Sequence, residues 1–185
     1  MRIKNILSLI VFSAAFVFSV MLVGLPKNNF YSKLNEAQSA GRNRQNIRTF
    51  LLTDINNGRF RDRQLLSIEG VGESFQTASN INQIAETTEE YFLDAQSLSA
   101  SDLPPDFQAA WQAHLNAWQK QVDYLNEIKE TANAYPADNF DAQKPSGRLF
   151  KIDSETYRSN DEEIEQSWYQ VLRVGRKYGA YVPVQ

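Results

Sequence analysis

Residues 104–128 read PPDFQAAWQAHLNAWQKQVDYLNEI. Within this stretch Phe107, Trp111, His114, Trp118, Val122, Leu125 and Ile128 recur every three or four positions, which is the spacing of one helical face. Pro104 and Pro105 suit a first turn, where a missing N–H costs nothing. Pro136 ends the pattern. The spacing predicts a long helix from Pro104 to about Tyr135 with an aromatic inner face.

On its N-terminal side a second stripe runs through Ile81, Ile84, Ala85, Thr88, Phe92, Ala95 and Leu98, and residues 99–103 make the turn. Further upstream Phe30, Leu34 and Ala37 sit at helical spacing, as do Ile47, Phe50, Leu51 and Ile55. Gly41 is a candidate break, and Asn56-Asn57-Gly58 is a turn signal, so this part reads as helix–turn–helix. On the C-terminal side residues 137–159 read as a long loop around Pro145-Ser146-Gly147. Loops of that length are uncommon and often have a task, here wrapping the bundle or meeting a partner. Asn160 is placed to cap the last helix, with Glu163 completing a capping box and Asp161 and Glu162 favouring the positive end of the dipole. Ile164, Trp168, Val171, Leu172, Gly175 and Tyr178 form its inner stripe, Gly179 is the expected stop, and residues 180–185 form an apolar tail that packs on the domain.

The chain begins with a basic Arg2 and Lys4, and residues 6–25 then carry no charge. About 20 such residues suffice to cross a hydrocarbon layer of about 30 Å. A cleaved signal peptide needs a shorter apolar core and a small-x-small site, whereas this segment ends in Met21-Leu22-Val23-Gly24-Leu25. Residues 1–27 therefore read as an uncleaved signal-anchor. The preceding basic residues place the N-terminus in the cytoplasm and residues 28–185 on the exported side, which is the periplasm in a Gram-negative host. The expected fold is all-α, a transmembrane helix followed by a soluble bundle of about four helices.

With Arg2, Lys4 and Lys27 set aside, 16 of the 19 basic side chains stand against all 22 acidic ones, a net of −6 for residues 28–185. That sign argues against nucleic acid as a partner. The chain has no cysteine, which excludes disulfides, thiolate metal sites and covalent haem attachment.

His114 is the sole histidine, and it lies between Trp111 and Trp118. No Glu-x-x-His pair occurs, and both methionines, Met1 and Met21, lie in the anchor, so no metal or cofactor is expected. The bland reading of His114 is a buried ring whose nitrogens find hydrogen bonds. Trp111, His114, Trp118 and Trp168 are nevertheless the candidate lining of an aromatic ligand pocket. Arg42, Arg44, Arg48, Arg59, Arg61 and Arg63 concentrate near the membrane and form the candidate interaction patch, against an ordinary solvated face. Glu86, Glu89 and Glu90 read as a solvated face. No phosphate loop, nucleophile elbow or triad is signposted, so no catalytic residue is assigned and no enzyme is expected. The chain reads first as a membrane-anchored interaction or assembly subunit of a membrane or envelope complex, bound to a protein partner and held to the membrane by residues 6–25. The alternative is a ligand-sensing or solute-binding bundle, for which a pocket of several hundred Å³ beside Trp111 and Trp118 is the discriminating feature.

Overall fold

The described residues of the computed structural model are 29–68, 71–134 and 149–183. They form α1 (Asn29–Leu66), β1 (Phe75–Thr77), α2 (Ala78–Ser97), α3 (Pro105–Asn133), β2 (Leu149–Lys151) and α4 (Ser154–Lys177). Among them the chain is mostly helical, as the apolar periodicity requires. The expected anchor at residues 1–27 lies outside the described residues, as do residues 137–148 of the expected loop. No described helix is long and apolar enough to cross a membrane. The chain divides into two units at residues 42 and 43. Of the first, the described part is the opening of α1, where Ser39 Oγ donates to the Glu36 carbonyl at 2.9 Å.

Three expectations are corrected. Asn56-Asn57-Gly58 is not a turn, because α1 runs through it. A glycine inside a helix costs about 1 kcal/mol relative to alanine. Here burial on both sides outweighs that cost: Ile47, Phe50, Leu51 and Asp54 are buried just before Gly58, and Arg61 turns inward just after it. α1 accordingly runs on to Leu66.

The second correction concerns residues 149–159, which are not loop. Leu149–Lys151 pairs antiparallel with Phe75–Thr77, with Gln76 opposite Phe150, and the Ile152 N–H extends the pairing to Ser74 O at 2.8 Å. Third, α4 is capped about two turns earlier than Asn160. Asp153 is the cap, accepting from the Thr156 N–H at 3.1 Å and its hydroxyl at 2.6 Å. The acids that looked like first-turn residues therefore serve elsewhere. Glu163 pairs with Lys120 at 2.6 Å, and Glu162 with Arg158 at 3.6 Å.

The expected inner faces of α2, α3 and α4 are the buried ones. Ile81, Ile84, Ala85, Thr88, Phe92 and Ala95 are buried on α2, and Tyr91 joins them. On α3 the buried face runs from Phe107 to Leu125. Phe50 of α1 meets Phe107 and Trp111 edge-on, with centroids 5.6 and 4.8 Å away, and centres a core closed by Val171 and Leu172 of α4. Edge-to-face contacts add about 0.5–1.5 kcal/mol beyond the area they bury. A smaller cluster of Ile68, Ile84, Ala85 and Leu125 sits nearer the ribbon. Asp106, at the start of α3, accepts from Lys177 Nζ at 2.5 Å and Tyr178 OH at 2.7 Å, which ties it to the end of α4.

Gly179 ends α4 as expected, with φ +75°. Its N–H reaches Arg176 O, and the Ala180 N–H reaches Gly175 O, the paired bonds of a Schellman stop. Ala180 is buried and Val182 packs on the core, so the described part of the tail lies on the domain.

At Gly175 α4 lies close against α1. A Cβ there would stand 3.1 Å from Leu51 Cδ1 and 3.5 Å from Ile47 Cγ2, and both side chains are fully buried. At Gly58 a Cβ would meet Tyr91 Cε2 at an ordinary 3.8 Å. Gly175→Ala is expected to lower stability by about 1–3 kcal/mol through overpacking. Gly58→Ala is expected to raise it by up to about 1 kcal/mol through helix propensity. Urea unfolding of the two variants measures both; the same sign for both would contradict this packing.

Candidate functional site

A cleft of about 560 Å³ opens beside His114, and helical spacing explains its lining. Asp54, Gly58 and Arg61 lie four and three residues apart on α1 and so share a face. His114 and Trp118 are one turn apart on α3. Asp161, Glu165, Trp168 and Leu172 follow one another on α4, and Tyr91 enters from α2. The chain after Gly179 returns to this cleft and lends it Val182 and Pro183.

His114 is 2% exposed. The Trp118 indole N–H donates to its Nε2 at 3.1 Å, so Nε2 carries a lone pair and the proton sits on Nδ1. Nδ1 lies 2.9 Å from Ser167 Oγ, which itself donates to the Ile164 carbonyl at 2.8 Å. Trp168 leans on the ring from α4, with centroids 5.3 Å apart. This neutral tautomer leaves no ring lone pair for a metal or for proton abstraction. Burial pushes the His114 pKa down to about 4.

Asp54 is the buried carboxyl of the site, at 3% exposure. Tyr91 OH donates to its Oδ1 at 3.0 Å. Burial pushes its pKa up to about 6, against the opposing pull of the Tyr91 bond and the Arg61 charge. Burial, with the Asp54 charge behind it, also holds the Tyr91 phenol well above its usual range. Arg61 closes the arrangement. Its guanidinium carbon lies 4.4 Å from the Trp118 ring centre and 5.0 Å from that of Tyr91, while Nη2 donates to Asp62 at 2.6 Å.

Of the four residues expected to line an aromatic pocket, His114, Trp118 and Trp168 reach the cleft. Trp111 stands behind His114, 2% exposed and packed on Phe50, and its Nε1 has no hydrogen-bond partner among the described residues. The expected arginines are spread along α1. Arg44 and Arg61 are 17 positions apart, about 25 Å along a helix. Arg44 and Arg48 are exposed, Arg63 lies over Phe60, and Arg59 and Arg61 line the cleft. Arg42 is exposed in the other unit. Arg61 thus joins the aromatic site. Sequence reasoning missed Asp54 and Tyr91. The signal was there: Asp54 follows Ile47 and Leu51 by seven and three positions, and Tyr91 follows Ile84 and Thr88 likewise, so both occupy inner-face positions.

Among the described residues no three His, Asp or Glu side chains are grouped to hold a metal ion. The chain matches no protein-family model, no curated protein and no solved structure.

Asp54 and His114 give opposite pH dependences. Asp54 titrates near 6 when folded and near 3.8 when free, so the stability tied to its protonated form is complete below 3.8 and lost as pH rises through 6. His114 titrates near 4 when folded and near 6.5 when free, so its contribution is complete above 6.5 and lost as pH falls through 4. Each spans about 3 kcal/mol at about 1.4 kcal/mol per unit. Relative to the native chain, Asp54→Asn is expected to be stabilising at pH 7.5, with the gain vanishing by pH 4. His114→Gln is expected to lose ground at pH 7.5 and recover it toward pH 4. Urea midpoints across this range check both; difference curves that stay flat would contradict the burial of these charges.

Proposed function

We propose that residues 43–183 form a ligand-binding helical module, that the cleft beside His114, Trp118 and Trp168 is its binding site, and that residues 6–25 hold it at a membrane with the module on the exported side. The observation that carries this reading is the cleft itself. Its volume of about 560 Å³ lies within the range of small-molecule sites, about 300–1,000 Å³. Its walls combine aromatic and aliphatic surface with a few placed polar groups, as such sites do. His114, with both nitrogens engaged, supports a wall rather than a catalyst, so the module is read as non-enzymatic. The anchor rests on the uncharged span of residues 6–25.

A second reading, an interaction or assembly subunit of a membrane or envelope complex, draws on a different observation. Phe75 and Leu149 are each more than half exposed on the β1–β2 ribbon, where register puts them two pairs apart on one face. Exposed apolar side chains of this size, set together, are a feature of protein contacts. The two readings are compatible when ligand binding is passed to a partner protein.

Full-length protein in mild detergent, screened by thermal shift against a panel of small cationic, neutral and anionic compounds, tests the binding reading. At least one member is expected to raise the Tm saturably, and Trp168→Ala is expected to reduce the shift about tenfold in concentration by removing one aromatic wall. A panel without any saturable shift, together with native mass spectra showing only the bare chain, would overturn it.

A further inference from the structure

Resting on the cleft being a binding site, we infer that its ligand is an organic cation, a guanidinium or primary alkylammonium group, which replaces Arg61 over the Trp118 and Tyr91 rings and pairs with Asp54. Arg61 shows what the rings accept. The chain has placed one of its own cations against two aromatic rings, at 4.4 and 5.0 Å, in the position a ligand cation would take. Asp54 supplies the counter-charge. Its Oδ1 is taken by Tyr91, whereas Oδ2 accepts no hydrogen bond among the described residues, and the side chain lines the cleft. The wider lining agrees in sign: Asp54, Asp62, Asp161 and Glu165 stand against Arg59 and Arg61. Neutral His114 adds nothing to that balance. An anion entering here would face a surplus of carboxylates.

The exchange is also physically accessible. Arg61, whose own side chain is 19% exposed, pairs with Asp62, whose side chain is 56% exposed, and an ion pair open to solvent on one side is weak. Arg61 can therefore swing toward solvent with Asp62 as the ligand enters, one cation taking the place of another. A tethered competitor sits at an effective concentration of about millimolar or above, so it weakens the binding of any free cation. Arg61 on this account is a built-in occupant that sets the threshold of the site.

The test uses the full chain in detergent at low salt. Agmatine serves as the guanidinium probe and succinate as an anion of similar length, and both are followed by tryptophan fluorescence and calorimetry. Agmatine is expected to bind the native chain weakly and Arg61→Gln at least about tenfold more tightly, as competition from the tethered side chain is removed. Asp54→Asn in the Arg61→Gln background keeps an acceptor for Tyr91 and is expected to return agmatine to weak binding. Succinate is expected not to bind either protein. Circular dichroism confirms that each variant is folded. Equal agmatine affinity with and without Arg61, or no agmatine binding to either protein, overturns the inference. Saturable binding of succinate or a neutral compound in its place overturns the cationic class alone and leaves the cleft standing as a binding site.

Discussion

The hydrogen-bond chain through His114 is the constraint on which the rest depends. It begins at the Trp118 N–H, crosses the imidazole and ends through Ser167 on the Ile164 carbonyl, so it joins two turns of α3 to α4. A buried imidazole with one nitrogen unpaired would be costly, by about 1–3 kcal/mol. With both paired, the ring stays neutral and fixes how α4 faces α3. Trp118 is thereby held with its ring face available to Arg61, and Trp168 is set at the cleft wall. Packing supplies most of the energy of the core; this chain supplies its orientation.

Asp54 and His114 share one cavity and hold opposite relations to the proton. Burial favours the neutral form of each, so it raises one pKa and lowers the other. The two therefore come closest together in charge behaviour under mildly acidic conditions. At neutral pH the site holds a carboxylate, an uncharged imidazole and a guanidinium.

Much of the helical architecture was legible because apolar periodicity reports directly on burial. The stripes on α2, α3 and α4 are the buried faces, and Gly179 stops α4 for the reason glycine usually stops a helix. Local signals failed where distant contacts outweighed them. Gly58 and its two asparagines speak for a turn, yet Phe50, Leu51 and Asp54 on one side and Arg61 on the other are fastened to other helices. Asn160 is a good cap by type, but Asp153 comes first and has Thr156 in reach. The ribbon could not be read from three-residue strands without knowing their partner. At the site the aromatic members were visible and the ionic ones were not, because Asp54 and Arg61 look like surface residues until the face they share with Ile47 and Leu51 is traced.

The ribbon has a kinetic meaning apart from its place in the fold. Thr77 pairs with Leu149, 72 positions along the chain, whereas helical hydrogen bonds span four. Contacts between neighbours in sequence form early, since little loop entropy opposes them, and a pairing across such a span forms late. The ribbon acts as a clasp across that span. It joins the lead-in to α2 to the lead-in to α4, the helix that carries Trp168. By joining the start of the helix that carries Tyr91 to the start of the helix that carries Trp168, the ribbon couples two walls of the cleft across the whole length of α2 and α3.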